Sequence, residues 1–254
     1  MRELERDSTP DTPSCRRLTI VGRGRVGHAL ADALRAAGYE VNGPLGRGAD
    51  GTEADIVLLC VPDGEIARAA AHVAPGRLVG HCSGATGLGP LAPHEAFSLH
   101  PLMTVTTVGA EFAGAGAAIA GATPRALGLA RELAHALNMR AVEIAEADRA
   151  TYHAAASIAS NFLVTLEAAA ERLGATVGLE REQLVPLVRA TVENWARLGP
   201  ERALTGPVAR GDEATVAAQR AAVAAAPELL DLFDALVSAT RELAAEYGRE
   251  AQPA

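Results

Sequence analysis

Apolar positions follow two different rhythms along this chain, and the change comes near residue 142. Leu18-Thr19-Ile20-Val21 is a short β-branched run, and Gly22-Arg23-Gly24-Arg25-Val26-Gly27 follows it directly. Val26, Leu30, Leu34 and Ala37 then recur at helical spacing until Gly38. Tyr39-Glu40-Val41 predicts a second strand. Strand, glycine loop, helix and strand in this order open a βαβ unit. Ile56 to Val61 is uninterruptedly apolar, as expected of a parallel strand covered on both faces, and Pro62-Asp63 ends it. Glu65 to Val73 reads as a helix. Further strands are expected at Leu78 to Cys82, at Phe97 to His100 before Pro101, and more weakly at Ala117 to Ala120. Thr123-Pro124 has the character of a cap and first turn for a helix to Leu137, and Arg140 to Ile144 predicts the last strand.

Beyond Glu146 the strand signals stop. Asp148 to Leu173 is one long helical pattern closed by Gly174, and its small, apolar first half predicts burial. Gln183 to Leu198 is a second helix, closed by Gly199-Pro200. Asp212 is a fitting N-cap for a helix to Ala226, and Pro227 opens a last one to about Tyr247. The fold class expected is therefore α/β, a Rossmann-like domain with a mostly parallel sheet, followed by an all-α C-terminal domain. The boundaries read as a flexible tail at 1–15, a dinucleotide-binding domain at 16–141 and a helical substrate or dimerisation domain at 142–254.

Composition narrows the chemistry. The 254 residues are 49% hydrophobic and only 3% aromatic, with a formal charge of −8, which speaks against nucleic acid and against a polybasic membrane anchor. All 23 basic residues are arginine, so no Schiff base, catalytic lysine or lysine-type phosphate loop can operate. Cys15, Cys60 and Cys82 form no CxxC pair, which argues against a disulfide framework or a structural zinc. The polar first 17 residues carry no apolar signal-peptide core. The longest nearly apolar stretch, Ala154 to Leu166, is shorter than the ~18 residues a membrane span needs. A reducing compartment, the cytoplasm, is expected.

The glycine loop carries the most specific signal. Gly22 permits a tight turn, Gly24 lets backbone approach a pyrophosphate, and Gly27 lets the helix pack close to the sheet. Arg23, Arg25 and Val26 complete the loop at the helix N-terminus, where unpaired N–H groups face an anion. NAD requires a carboxylate at the end of the second strand, but Asn42-Gly43-Pro44 stands there. Arg47 and Arg23 suit a 2′-phosphate instead, so NADP is expected over NAD. The competing reading of both arginines is plain surface charge.

In a doubly wound sheet the ligand sits beyond the carboxyl ends of the strands. The residues expected there are the glycine loop, Val61-Pro62-Asp63, His81-Cys82-Ser83-Gly84 and His100-Pro101. Val61, Pro62 and Ser83 would line the cofactor. His81 and His100 would donate to substrate or serve only as buried structural histidines. On the long helix His153, Ser157 and Asn161 recur every four residues. They make either an interhelical or subunit contact, or a wall of the site with His153 as proton donor, Ser157 beside it and Asn161 orienting a carbonyl or imine. Arg210, in the loop 203–212, would pair with a substrate carboxylate, or that loop only caps the next helix through Asp212. Cys82 has no activating neighbour in sequence, and no spacing of His, Cys or carboxylates reads as a metal site.

With GRGRVG at 22–27, LLCVPD at 58–63, HCSGA at 81–85, SLHPL at 98–102, YHAAASIASN at 152–161 and ALTGPVARGD at 203–212, the chain resembles Rossmann-like proteins that carry a C-terminal helical domain of unknown function. These are related to ketopantoate reductases, pyrroline-5-carboxylate reductases and the 6-phosphogluconate dehydrogenase group. The resemblance runs from Leu18 to about Leu236. It implies an NAD(P)-dependent oxidoreductase acting on a small molecule, and a homodimer formed through the helical domain. Ketopantoate reductases and hydroxyacid dehydrogenases use a lysine as catalytic acid; here His153 or another group must replace it.

The expected reaction is hydride transfer between a nicotinamide and a carbonyl or imine of a small carboxylate, with a ketopantoate-like 2-keto acid as one case. The alternative is a non-catalytic NAD(P)-binding sensor or scaffold, which needs the glycine loop but neither His153 nor Asn161. A prephenate-type dehydrogenase is a weaker third reading, suggested only by the histidines at the sheet edge.

Overall fold

The computed structural model describes residues 17–106 and 110–250, with side chains to residue 246. The expected tail and Cys15 lie outside these residues. The chain divides into two compact units, one ending at Ser160 and the other beginning at Asn161.

The first unit is built on a seven-stranded sheet. Its strands are β1 (Arg17–Val21), β2 (Glu40–Leu45), β3 (Ile56–Leu59), β4 (Leu78–His81), β5 (Glu95–Leu102), β6 (Gly116–Gly121) and β7 (Arg140–Glu143). The spatial order is β2-β1-β3-β4-β5-β6-β7. Every neighbouring pair is parallel except β5 and β6. Helices α1 (Arg25–Ala36), α2 (Ile66–Ala70) and α3 (Pro124–Ala136) link the strands.

Strand periodicity explains the core. All four residues of β3 are buried, and alternate ones face opposite ways. Ile56 and Leu58 join Leu18, Ile20, Leu30, Leu34, Phe97 and Leu99 on one face. Val57 and Leu59 join Val21, Ile66, Val79 and Leu91 on the other. Each such side chain contributes about 1.5–3 kcal/mol of burial, so this double-sided packing fixes the sheet on which the turns stand.

Several elements differ from the sequence expectation. Strand β2 continues through Gly43-Pro44 to Leu45, which an edge strand tolerates because proline removes a donor that has no neighbour to serve. Strand β5 runs through Pro101. Its pairing with β4 ends at Ser98, and beyond that point it pairs with β6 alone. The helix expected at 65–73 is a 3₁₀ turn, Asp63–Glu65, followed by the short α2. Thr123 caps α3 as expected, its side chain accepting from the Ala126 N–H at 3.1 Å.

The long helical pattern is α4 (Arg149–Ser157), a π-helical turn over Ile158–Phe162, and α5 (Leu163–Ala175). Its expected burial is not found: Arg149 is the one buried residue of α4, and Ile158 is 63% exposed. Small apolar residues show that a face is to be covered, not which surface covers it.

The second unit is helical, with α5, α6 (Arg181–Leu198), α7 (Pro200–Ala203), α8 (Glu213–Val223) and α9 (Leu230–Glu250). Asp212 caps α8 as expected, accepting from the Thr215 N–H at 3.1 Å. Among the described residues of this unit there is no strand, and only Gly174, Val216 and Val223 are buried. No helix among the described residues is long and apolar enough to cross a membrane.

Candidate active site

The turn after β1 excludes side chains. Gly22 sits at φ +123° and gives its N–H to the Leu45 carbonyl at 2.9 Å. A Cβ on Gly22 would collide with the Cys60 carbonyl, and one on Gly27 would collide with the carbonyl of Gly22. Gly24 faces open space and caps α1 without a side-chain hydrogen bond. The first turn of α1 contains no acidic residue. Its N–H groups and the positive end of the helix are thus left for an anion, and the cradle fits a pyrophosphate. Arg23 and Arg25 are exposed and Val26 is half-buried beside this turn.

At the second strand the register corrects the sequence reading. Asn42 is level with Thr19, whereas Leu45 is level with Val21. Asn42 therefore stands three residues short of the strand end, away from the glycine turn. The strand leads instead into Gly46-Arg47-Gly48, again without a carboxylate. Arg47 lies at the edge expected of a ribose-end ligand, and its Nη1 meets Glu65 at 3.2 Å.

Beyond β3 and β4 the chain is tightly hydrogen-bonded. Cys60 and Cys82 are free thiols with sulfurs 3.7 Å apart, and the Cys60 contact together with burial pushes the Cys82 thiol well up. Val61 is half-buried and Pro62 exposed. Buried Ser83 donates to Asp63 at 2.7 Å and accepts from the N–H groups of Ala85 and Thr86. His81 is fully buried. Its Nδ1 accepts from the Ser83 N–H at 3.2 Å and its Nε2 donates to the Gly87 carbonyl at 2.9 Å. Burial lowers its pKa. Both ring nitrogens are occupied, so His81 holds the 81–87 loop rather than offering a donor to substrate.

His100, on β5 just past the last residue paired with β4, has a different setting. Its Nδ1 and the Tyr152 hydroxyl share a hydrogen bond of 2.6 Å, with the rings edge to face at 89°. The His153 ring centroid lies 6.4 Å from that of His100. A Cβ on Gly84 would lie 2.9 Å from His100 Cε1 and 3.0 Å from His153 Cδ2, so only glycine fits between the imidazoles. Burial, then the His153 charge, lowers the His100 pKa to about 4. Burial pushes the Tyr152 hydroxyl up to about 12. Both groups are neutral at pH 7, with one proton lying between Oη and Nδ1. The pair stands beside a second, exposed imidazole, the residue type suited to general acid–base work.

The structure thus joins the glycine turn, Val61-Pro62, Ser83 and His100 along one sheet edge, with His153 and half-buried Ser157 on α4 above it. Asn161 and exposed Arg210 belong to the second unit; the Asn161 carbonyl accepts from Thr165 Oγ1 at 3.2 Å. Sequence reasoning missed Tyr152 and Arg149, and it placed Asp63 at the sheet edge without giving it a role. Tyr152 sits one position off the four-residue stripe, whereas Arg149 lies on it, four residues before His153. Among the described residues no group of three or more His, Cys, Asp and Glu side chains is placed to hold a metal ion.

Residues 115–240 match the model of a family described as a domain of unknown function, DUF2520. No curated protein sequence matches the chain. Among solved structures, a candidate NADP oxidoreductase of Bacteroides fragilis superposes with TM-score 0.76 at 20% identity, covering 89% of this chain and 98% of that one. A protein of Thermotoga maritima gives TM-score 0.76 at 25% identity, covering 90% and 98%. The pyrroline carboxylate reductase of Plasmodium falciparum, solved with NADP bound, gives 0.58 at 14% identity over 90% and 98%. These likenesses establish the Rossmann-like fold with its helical C-terminal region.

Proposed function

We propose that the protein is an NADP-dependent oxidoreductase that exchanges a hydride with a carbonyl or imine carbon of a small carboxylate. The observation that carries this reading is one rim holding both a glycine turn closed to side chains and a neutral His100–Tyr152 pair flanked by His153. The NADP of the pyrroline carboxylate reductase supports the choice of cofactor. So does a strand end bearing Arg47 where a carboxylate would select NAD.

In this reading Gly22, Gly24, Gly27 and the first turn of α1 hold the pyrophosphate. Arg23 and Arg47 take the 2′-phosphate, and Val61, Pro62 and Ser83 line the path between them. The nicotinamide supplies the hydride chemistry when bound. The chain's own part is to orient the reactants and handle one proton. His153 donates it at the exposed side and is reprotonated there from water, while the Tyr152–His100 pair packs beside it. No lysine is required, in keeping with its absence. A second copy of the chain covers the helical unit, whose exposed Val177, Leu187 and Trp195 otherwise remain in water. The setting is cytoplasmic.

Calorimetry with NADPH and NADH tests the first half. NADPH is expected to bind at least about tenfold more tightly, a difference of about 1.4 kcal/mol. Turnover of small keto acids and cyclic imines tests the second. In His153→Ala, cofactor affinity persists and turnover is lost. Failure to take up either nucleotide would overturn the reading. Uptake without turnover of any such substrate in the native protein would leave a sensor in its place.

A further inference from the structure

Arg149 is buried to 4% exposure, which sets it apart from the other arginines of the described residues. Taking a guanidinium out of water is costly unless the position is used. Its Nη2 donates to Ser98 Oγ at 2.5 Å, while its Nε makes no hydrogen bond. The Glu146 carboxylate stands 3.6 Å from Nε and is itself 70% exposed, so the charge is only partly balanced.

The position links two elements already described. Arg149 opens α4, and Tyr152 and His153 follow at three and four residues, on the same helix face. Ser98 lies two residues before His100, on the same face of β5. Helix and strand are therefore fastened twice, Arg149 to Ser98 and Tyr152 to His100. The groups that face His100 are Arg149, Tyr152 and His153 from α4, Asp63 from the turn after β3, and His81 from β4. Of these, Asp63 alone favours the imidazolium.

We propose that Arg149 is the positioning residue of this site: anchored on Ser98, its guanidinium fixes α4 over β5 and so keeps the Tyr152 hydroxyl on His100 Nδ1. Its charge adds a smaller push to the burial that keeps His100 uncharged beside the Tyr152 hydroxyl. The catalytic meaning rests on the oxidoreductase reading; the geometry does not.

The test uses the whole protein without cofactor or substrate. Histidine side-chain NMR signals are titrated, and His100 is assigned with His100→Gln. Arg149→Met is expected to raise the proton affinity of His100 by about two- to threefold, a smaller step than burial or His153 accounts for. Arg149→Lys, which restores the charge, is expected to bring most of that change back. Should Arg149→Met fail to fold, Ser98→Ala frees the guanidinium to swing toward Glu146 and is expected to shift His100 in the same direction by a smaller step. An unchanged His100 titration in the folded variant overturns the proposal. A shifted titration in a protein that turns over no keto acid or imine would sustain it and count against the oxidoreductase reading alone.

Discussion

His100 couples the site to the stability of the fold. Its pKa is about 4 in the folded protein, against about 6.5 for a free imidazole. The unfolded chain therefore binds the proton more readily. The stabilising contribution is complete above pH 6.5 and is lost as the pH falls from there to 4, by about 3 kcal/mol at most. Denaturant titrations between pH 7 and 4 are expected to show this loss in the native protein and a flatter profile in His100→Gln. Gly84 acts at the same scale by having no side chain. Gly84→Ala forces His100 and His153 apart and is expected to cost about 1–3 kcal/mol, with a larger fractional loss of turnover than of NADPH affinity. Thermal melts beside kinetics check it.

Among the elements, the glycine turn and α1 form one device. Gly27→Ala sets a methyl group against the Gly22 carbonyl and must push α1 off the sheet. NADPH affinity is expected to fall at least about a hundredfold, read by calorimetry, with destabilisation of about 1–3 kcal/mol. This device was legible in the sequence because it is local: strand, GRGRVG and helix are contiguous. The Thr123 and Asp212 caps were legible for the same reason. The end of β2 was not, because Gly43-Pro44 reads as a terminator unless the strand is known to lie at the sheet edge. Nor was the Tyr152–His100 contact, which joins residues 52 apart through the way α4 lies along β5. His81 illustrates the reverse case. The sequence left it open between substrate ligand and structural support, and in the fold the 81–87 loop closes on both its nitrogens.

At the scale of the whole molecule, the two units differ in how much apolar surface each buries. The first buries two continuous cores against its sheet, while the second leaves Val164, Val177, Leu187 and Trp195 more than half exposed. Such a surface is expected to associate with a second copy. Sedimentation should return a dimer, and the melting temperature should rise with protein concentration by mass action. Leu187→Asp with Trp195→Asp on α6 should yield a monomer with a lower melting temperature. A native protein that sediments as a monomer at all concentrations would refute the dimer.

The double fastening of α4 to β5 works like a vernier. Two strand residues from Ser98 to His100 advance about 6.6 Å, and three helix residues from Arg149 to Tyr152 advance about 4.5 Å. The two scales coincide at both marks because side chains of different reach take up the difference. One extra alanine between Arg149 and Tyr152 would leave the helix intact yet swing the phenol by ~100° around its axis. Phase along a single helical turn, more than the identity of any one side chain, decides whether this rim holds a working proton pair.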